Sequence, residues 1–226
     1  MEASELQPGD SFRTHKSPGA YFVLRGPAME LGWLDAIRYE SNGVEIGLVQ
    51  LPRRTIVLPT DSCIIHVYGA GPFFNEEEVA NIKFIEDTAA MYPQIILYSP
   101  RQSDVSKRFG ACKDATEREA MSGEILEENI RAIQNSHLIM AVVDNRDPGT
   151  IWEHGYSYGK DVPVVTVTFR DYGLNLMVAR SSICHCRSRN KVIQVFEALC
   201  TFDFTPDRDE IRDILRPLSD PTGDTY

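Results

Sequence analysis

From Cys63 onward the chain alternates short apolar runs with longer amphipathic ones, and this alternation limits the fold more than any other feature. Ile64–Tyr68, Ile95–Tyr98, His137–Val143 and Val162–Phe169 are short runs dominated by apolar side chains. Runs of that length and character fit strands buried on both faces of a sheet. Between and after them, Asn75–Met91, Glu117–Ser136, Ile151–Gly159 and Asn190–Cys200 read as helices. Glu76, Glu77 and Glu78 fall in the first turn of the first helix, where the helix dipole favours acids. Buried strands separated by helices imply a parallel sheet with right-handed crossovers. The expected fold is therefore α/β: a flavodoxin-like, doubly wound parallel sheet of about five strands. Its ligand site belongs beyond the carboxyl ends of the strands. The polar stretch Ser99–Thr116 reads as a loop able to cover that site, with Arg101, Gln102, Lys107, Arg108 and Phe109 available.

The first sixty residues follow a different pattern. Ala20–Leu24, Ala36–Glu40, Val44–Val49 and Arg54–Pro59 read as strands, and Asn42-Gly43 between two of them is a hairpin signal. The chain thus divides into a small all-β barrel or sheet module over 1–60, carrying no visible chemistry, and an α/β domain over 61–226. With 42% hydrophobic residues the chain can bury at least one full core. Its net charge of −10, with scattered Lys and Arg, argues against a nucleic-acid polymer as partner. No apolar run reaches the roughly 20 residues of a membrane span, and the acidic start MEASELQPGD is unlike an export signal. A cytoplasmic protein with five reduced cysteines is expected. The Cys184-His185-Cys186 run lacks a second ligand pair, so alternating burial along a strand is expected rather than a metal site.

Two segments carry chemistry. Tyr68-Gly69-Ala70-Gly71-Pro72-Phe73-Phe74-Asn75 follows the first buried strand, and its small residues admit a ligand close to the backbone. Phe73 and Phe74 can cover a base or sugar. Neither G-x-G-x-x-G nor G-x-x-x-x-G-K-[ST] is complete, so no nucleotide cofactor is implied. The second segment, Asp144 to Tyr156, places Asp144 at a strand end, and Asp147 and Glu153 six apart across a Pro-Gly turn. Read as structure, Thr150 is an N-cap and Thr150–Glu153 a capping box. Read as chemistry, two carboxylates converge on a cleft, one as nucleophile and one as acid or hydrogen-bond partner. The pattern alone leaves both readings open.

Gly69-Ala70-Gly71-Pro72-Phe73-Phe74-Asn75, Asp147-x-Gly149-Thr150-x-x-Glu153-x-Gly155-Tyr156 and Asn175-Leu176-Met177 resemble the nucleoside 2-deoxyribosyltransferase family, in this order and at similar spacing. The resemblance runs from about Cys63 to the C-terminus. It implies Glu153 as the nucleophile on C1′ of a 2′-deoxynucleoside, giving a covalent deoxyribosyl-enzyme that a second base resolves with net retention. It implies Asp147 as the residue that hydrogen-bonds and protonates the departing base. It places Tyr68, Gly69, Gly71, Phe73, Phe74, Asp144, Gly149, Tyr156 and Met177 around the substrate. Asn175 and the terminal Tyr226 would be contributed to a neighbouring subunit's site, which requires a homo-oligomer. The partners implied are a 2′-deoxynucleoside and a free nucleobase; no cofactor or metal is expected.

One position departs from the family. Asn129 stands where an aspartate usually faces the base, and an amide cannot supply a proton. Glu128 beside it points about 100° away on a helix. Two other functions share the same residues: an N-glycoside hydrolase with water as acceptor, and a non-catalytic nucleoside or nucleotide sensor.

Overall fold

The computed structural model describes residues 11–13, 20–27, 33–40, 45–52, 58–59, 63–171, 173–202 and 205–223. In the N-terminal region β1 (Ser11–Arg13), β2 (Ala20–Pro27), β3 (Trp33–Glu40), β4 (Glu45–Pro52) and β5 (Leu58–Pro59) form one antiparallel sheet in the order β4-β3-β2-β1-β5. β3 and β4 pair with Tyr39 opposite Glu45, as the Asn-Gly signal predicts. The turn itself lies outside the described residues.

The rest of the chain builds the expected parallel sheet. Its strands are β6 (Ile65–Ala70), β7 (Ile95–Tyr98), β8 (Leu138–Val142), β9 (Val164–Val167) and β10 (Cys184–Cys186). They pair in the order β10-β9-β8-β6-β7, all parallel. The chain winds outward from β6 to β7, then crosses back to β8 and continues the other way. The direction therefore reverses between β6 and β8, where a crevice opens at the carboxyl ends.

The helices are α1 (Glu76–Ala89), α2 (Asp104–Ala111), α3 (Ala115–Gln134), α4 (Pro148–Gly159), α5 (Leu176–Arg180), α6 (Arg189–Leu199) and α7 (Arg208–Leu215). Alternate residues of β8 supply two cores. Leu138, Met140 and Val142 pack with Ile82, Ile85, Val195, Phe196 and Ile211 of α1, α6 and α7. Ile139, Ala141 and Val143 pack with Ile133 and Val178 of α3 and α5, joined by Ile151 of α4. Both faces of the sheet are covered, which is why the strands read as continuous apolar runs. Among the described residues no helix is long and apolar enough to cross a membrane.

Three local expectations are corrected. Ser99–Thr116 is not a loop: a single 3₁₀ turn at Pro100–Gln102 leads into α2, capped by Ser103, and Asp114 then caps α3. Cys184, His185 and Cys186 do not alternate in burial; all three are buried. The C-terminal segment covers their edge of the sheet: Ser219 accepts from the His185 amide at 3.0 Å, and Asp220 donates to the His185 carbonyl at 2.8 Å. Thr150 is not the N-cap of α4; Asp147 is.

Candidate active site

The site grows from two loops at the crevice between β6 and β8. After β6 the chain must turn directly into α1. A Cβ on Gly71 would lie 3.2 Å from Ile82 Cδ1 and 3.3 Å from Val142 Cβ, so a larger residue would push these neighbours back by a few tenths of an ångström. Asn75 caps α1 by accepting from the Glu78 amide at 3.0 Å. Glu78 in turn accepts from the Phe74 amide at 2.8 Å and from Asn145 Nδ2 at 2.5 Å. One glutamate thereby ties the post-β6 turn to the post-β8 turn. The rings of Phe73 and Phe74 stack at 5.5 Å, and Phe74 is 75% exposed.

After β8, Asp147 rather than Thr150 caps α4. Its Oδ2 accepts from the Thr150 amide at 2.7 Å and the Thr150 hydroxyl at 3.0 Å, with Pro148 opening the helix. A Cβ on Gly149 would stand 3.1 Å from that same Oδ2, so glycine keeps the cap open to its acceptor. Moving the cap three residues back moves Glu153 from the first turn to the second. It is then too deep in the helix to cap, and the capping-box reading falls away.

Instead, the Glu153 side chain turns toward the sheet. Its Oε1 accepts from the Tyr68 hydroxyl at 2.5 Å and from Asn129 Nδ2 at 3.4 Å. Tyr68 is fully buried on β6, and its ring stacks on Tyr98 of β7 at 5.4 Å. The Tyr98 hydroxyl donates to Asn129 Oδ1 at 3.0 Å. Burial raises the Glu153 pKa to about 7; the Tyr68 hydrogen bond opposes the rise and the Asp147 charge adds to it. Burial and the Glu153 carboxylate hold the Tyr68 hydroxyl firmly protonated.

Glu153 forms part of the wall of a cleft of about 340 Å³. Gly71, Phe73, Phe74, Asn129, Asp147 and Gly149, all anticipated from sequence, line it as well. So do Pro100, Ser106, Phe109, Gly110 and Ile125, which bring α2 and α3 over the opening. Arg118 holds Phe109 in place, its guanidinium 4.0 Å from the ring centre and donating to the Phe109 carbonyl at 2.8 Å. Among the described residues no lysine or arginine lines the cleft.

The nucleoside 2-deoxyribosyltransferase family model matches residues 67–185, more than half of the chain. The chain belongs to the nucleoside 2-deoxyribosyltransferase family. Among solved structures it is similar to a 2-deoxyribosyltransferase from the psychrotolerant bacterium Bacillus psychrosaccharolyticus. That likeness has 23% identity and a TM-score of 0.49 and covers 57% of this chain and 90% of that one. It is also similar to a conserved protein from Enterococcus faecalis V583, at 16% identity and a TM-score of 0.37, covering 69% of this chain and 99% of that one. No match is found among curated proteins.

Not every residue expected around a deoxyribosyltransferase substrate is gathered at the cleft. Gly69 packs toward Leu97 and the Tyr98 carbonyl, behind the site. Asp144 is buried, and its Oδ1 accepts from the amides of Phe169 and Arg170 at 2.8 and 2.9 Å. Burial raises its pKa against those two hydrogen bonds. Tyr156 stacks on Trp152 at 5.1 Å and accepts from Gln134 at 2.8 Å, along the seam between α3 and α4. Asn175 caps α5 by accepting from the Met177 amide at 2.9 Å, and Met177 is 75% exposed. Tyr226 lies outside the described residues. Arg101, expected over the site, pairs with the buried Glu86 instead. Tyr98 was not anticipated: at the end of an apolar strand, nothing in the sequence separates it from a core aromatic.

Proposed function

We propose that this protein transfers 2-deoxyribose between nucleobases, with Glu153 as nucleophile. The observation that carries this reading is the Glu153 carboxylate, facing a base-and-sugar-sized cleft while a buried tyrosine hydroxyl holds one of its oxygens. In the first step Glu153 attacks C1′ of a 2′-deoxynucleoside and the N-glycosidic bond breaks, its electron pair leaving with the base. The base takes up a proton, which we assign to Asp147 on the same cleft wall. In the second step an acceptor base attacks C1′ from the face the first base left, its N–H proton passing to Asp147 and the Glu153 carboxylate being expelled, with net retention.

A pKa near 7 bears on the first step. Ionised, the carboxylate stabilises the oxocarbenium-like transition state electrostatically. Its elevated basicity also makes it a better nucleophile than a solvated glutamate. The apolar wall of Phe73, Phe74, Phe109 and Ile125 suits a flat base. The lack of lysine and arginine among the lining residues favours an uncharged nucleoside over a nucleotide. Asn175 and Met177, both exposed on α5, suit contribution to a second subunit's site, and we assign the protein to a homo-oligomer on that basis.

The test is chromatography of reactions containing a panel of 2′-deoxynucleosides, with and without a free acceptor base. A new deoxynucleoside formed only with acceptor supports transfer. Free base released at equal rate without acceptor means hydrolysis, and no turnover of any donor favours a binding protein.

A further inference from the structure

Among the described residues Glu153 has two hydrogen-bond donors on one oxygen, and they come from different elements: Tyr68 from β6 and Asn129 from α3. Each has its own supporter, and in both cases that supporter is Tyr98 on β7. The Tyr98 ring stacks on Tyr68 at 5.4 Å with 21° between planes. Its hydroxyl donates to Asn129 Oδ1 at 3.0 Å. An amide whose oxygen accepts from Tyr98 must present its NH2 group on the other side, which is where Glu153 lies. Tyr98 therefore fixes both the rotamer of one donor and the flip of the other.

Resting on the assignment of Glu153 as nucleophile, we infer that Tyr98 is a positioning residue, aligning Tyr68 and Asn129 on Glu153 and so setting the nucleophile's protonation. Asn129 then acts toward the carboxylate and not as a proton source for the base. For this Tyr98 must remain a donor, and its surroundings keep it one. Burial and the nearby Glu128 carboxylate push its pKa up to about 12. Glu128 has one buried oxygen, Oε2, with no hydrogen-bond partner among the described residues. The titratable or charged groups around the cluster are Tyr68 on β6, Glu128 and Arg131 on α3, and Asp147 at the head of α4.

Tyr98→Phe keeps the ring and removes only the hydroxyl. With a 2′-deoxynucleoside as substrate, kcat should fall about tenfold while KM changes less than about twofold. The acidic limb of the kcat profile should move up by about half a pH unit, because a carboxylate with weaker hydrogen bonds ionises less readily. In an Asn129→Ala background, Tyr98→Phe should cost no more than about twofold further, since the residue it acts through is gone. A merely structural tyrosine would lower the unfolding temperature and leave the limb where it was. Unchanged kcat and limb in Tyr98→Phe, or full multiplication of the two losses in the double variant, overturns the inference. Glu153→Ala is measured beside them. Turnover retained there overturns the nucleophile assignment itself, whereas turnover lost there with Tyr98→Phe silent overturns only the role of Tyr98.

Discussion

Asp144, buried, and Glu153, half-buried, are two acids at the carboxyl edge of the same sheet, nine residues apart on the chain, and desolvation raises the pKa of both. Their surroundings differ. Asp144 accepts from the amides of Phe169 and Arg170 on one oxygen and from Asn81 at 3.4 Å on the other, so its acceptor capacity is turned into the protein. It staples the loop after β9 to the end of β8. Among the described residues Glu153 is held on one oxygen only, by side chains, at the wall of a cleft. Burial alone does not make a reactive carboxylate; what separates the two is where the remaining lone pairs point.

That contrast breaks most sharply on activity. Glu153→Ala should lower turnover of any 2′-deoxynucleoside by more than about a thousandfold and keep the native circular dichroism spectrum. A loss below about tenfold would place Glu153 with Asp144 among structural acids. Asp147→Asn retains a capping side chain and loses the acid, so kcat should drop about a hundredfold with little change in unfolding temperature. Comparable activity to the parent would remove Asp147 from the chemistry.

On stability the order reverses. Asp144→Ala strands two loop amides and should cost about 2–3 kcal/mol in denaturant unfolding, while kcat per folded molecule stays within about threefold. A cost below about 0.5 kcal/mol would mean that the staple is ornamental. Glu153→Gln should instead stabilise the fold. Between pH 4.5 and about 7 the folded protein keeps a proton that the unfolded chain has released, so the parent loses stability as pH rises through that window. At pH 8 the Gln variant should therefore exceed it by about 2 kcal/mol, with the gap closing toward pH 4.5. A pH-independent gap would show that Glu153 carries no raised pKa. Asn129→Asp replaces a donor to Glu153 with a second acid, so kcat should fall, and relative rates among donor bases should change more than unfolding temperature does. Identical base profiles would detach that position from base selection.

The sequence made the sheet legible because its strands are buried on both faces: Ile64–Tyr68 and His137–Val143 needed no side-chain partner to be read as strands. The glycine turn and the Asp147–Glu153 pair were legible because spacing across a Pro-Gly turn survives without knowing the register of the helix. That register was not legible. Asp147 and Thr150 are both good caps, and only the structure shows that Asp147 takes the role and pushes Glu153 into the second turn. The short helix α2 was hidden because its apolar stripe is only Val105 and Phe109, too short to stand out in a polar run. Tyr98 was hidden for the opposite reason: an aromatic ending an apolar strand looks like core until its hydroxyl is seen to reach Asn129.

The proposed chemistry requires a bond between Glu153 and the sugar. Intact-protein mass spectrometry of the enzyme quenched in acid during turnover of a 2′-deoxynucleoside tests it directly. The predicted result is an added mass of one deoxyribosyl group, mapped by peptide analysis to Glu153 and missing from Glu153→Ala. An adduct on another residue, or rapid turnover by Glu153→Ala with no adduct at all, would contradict it.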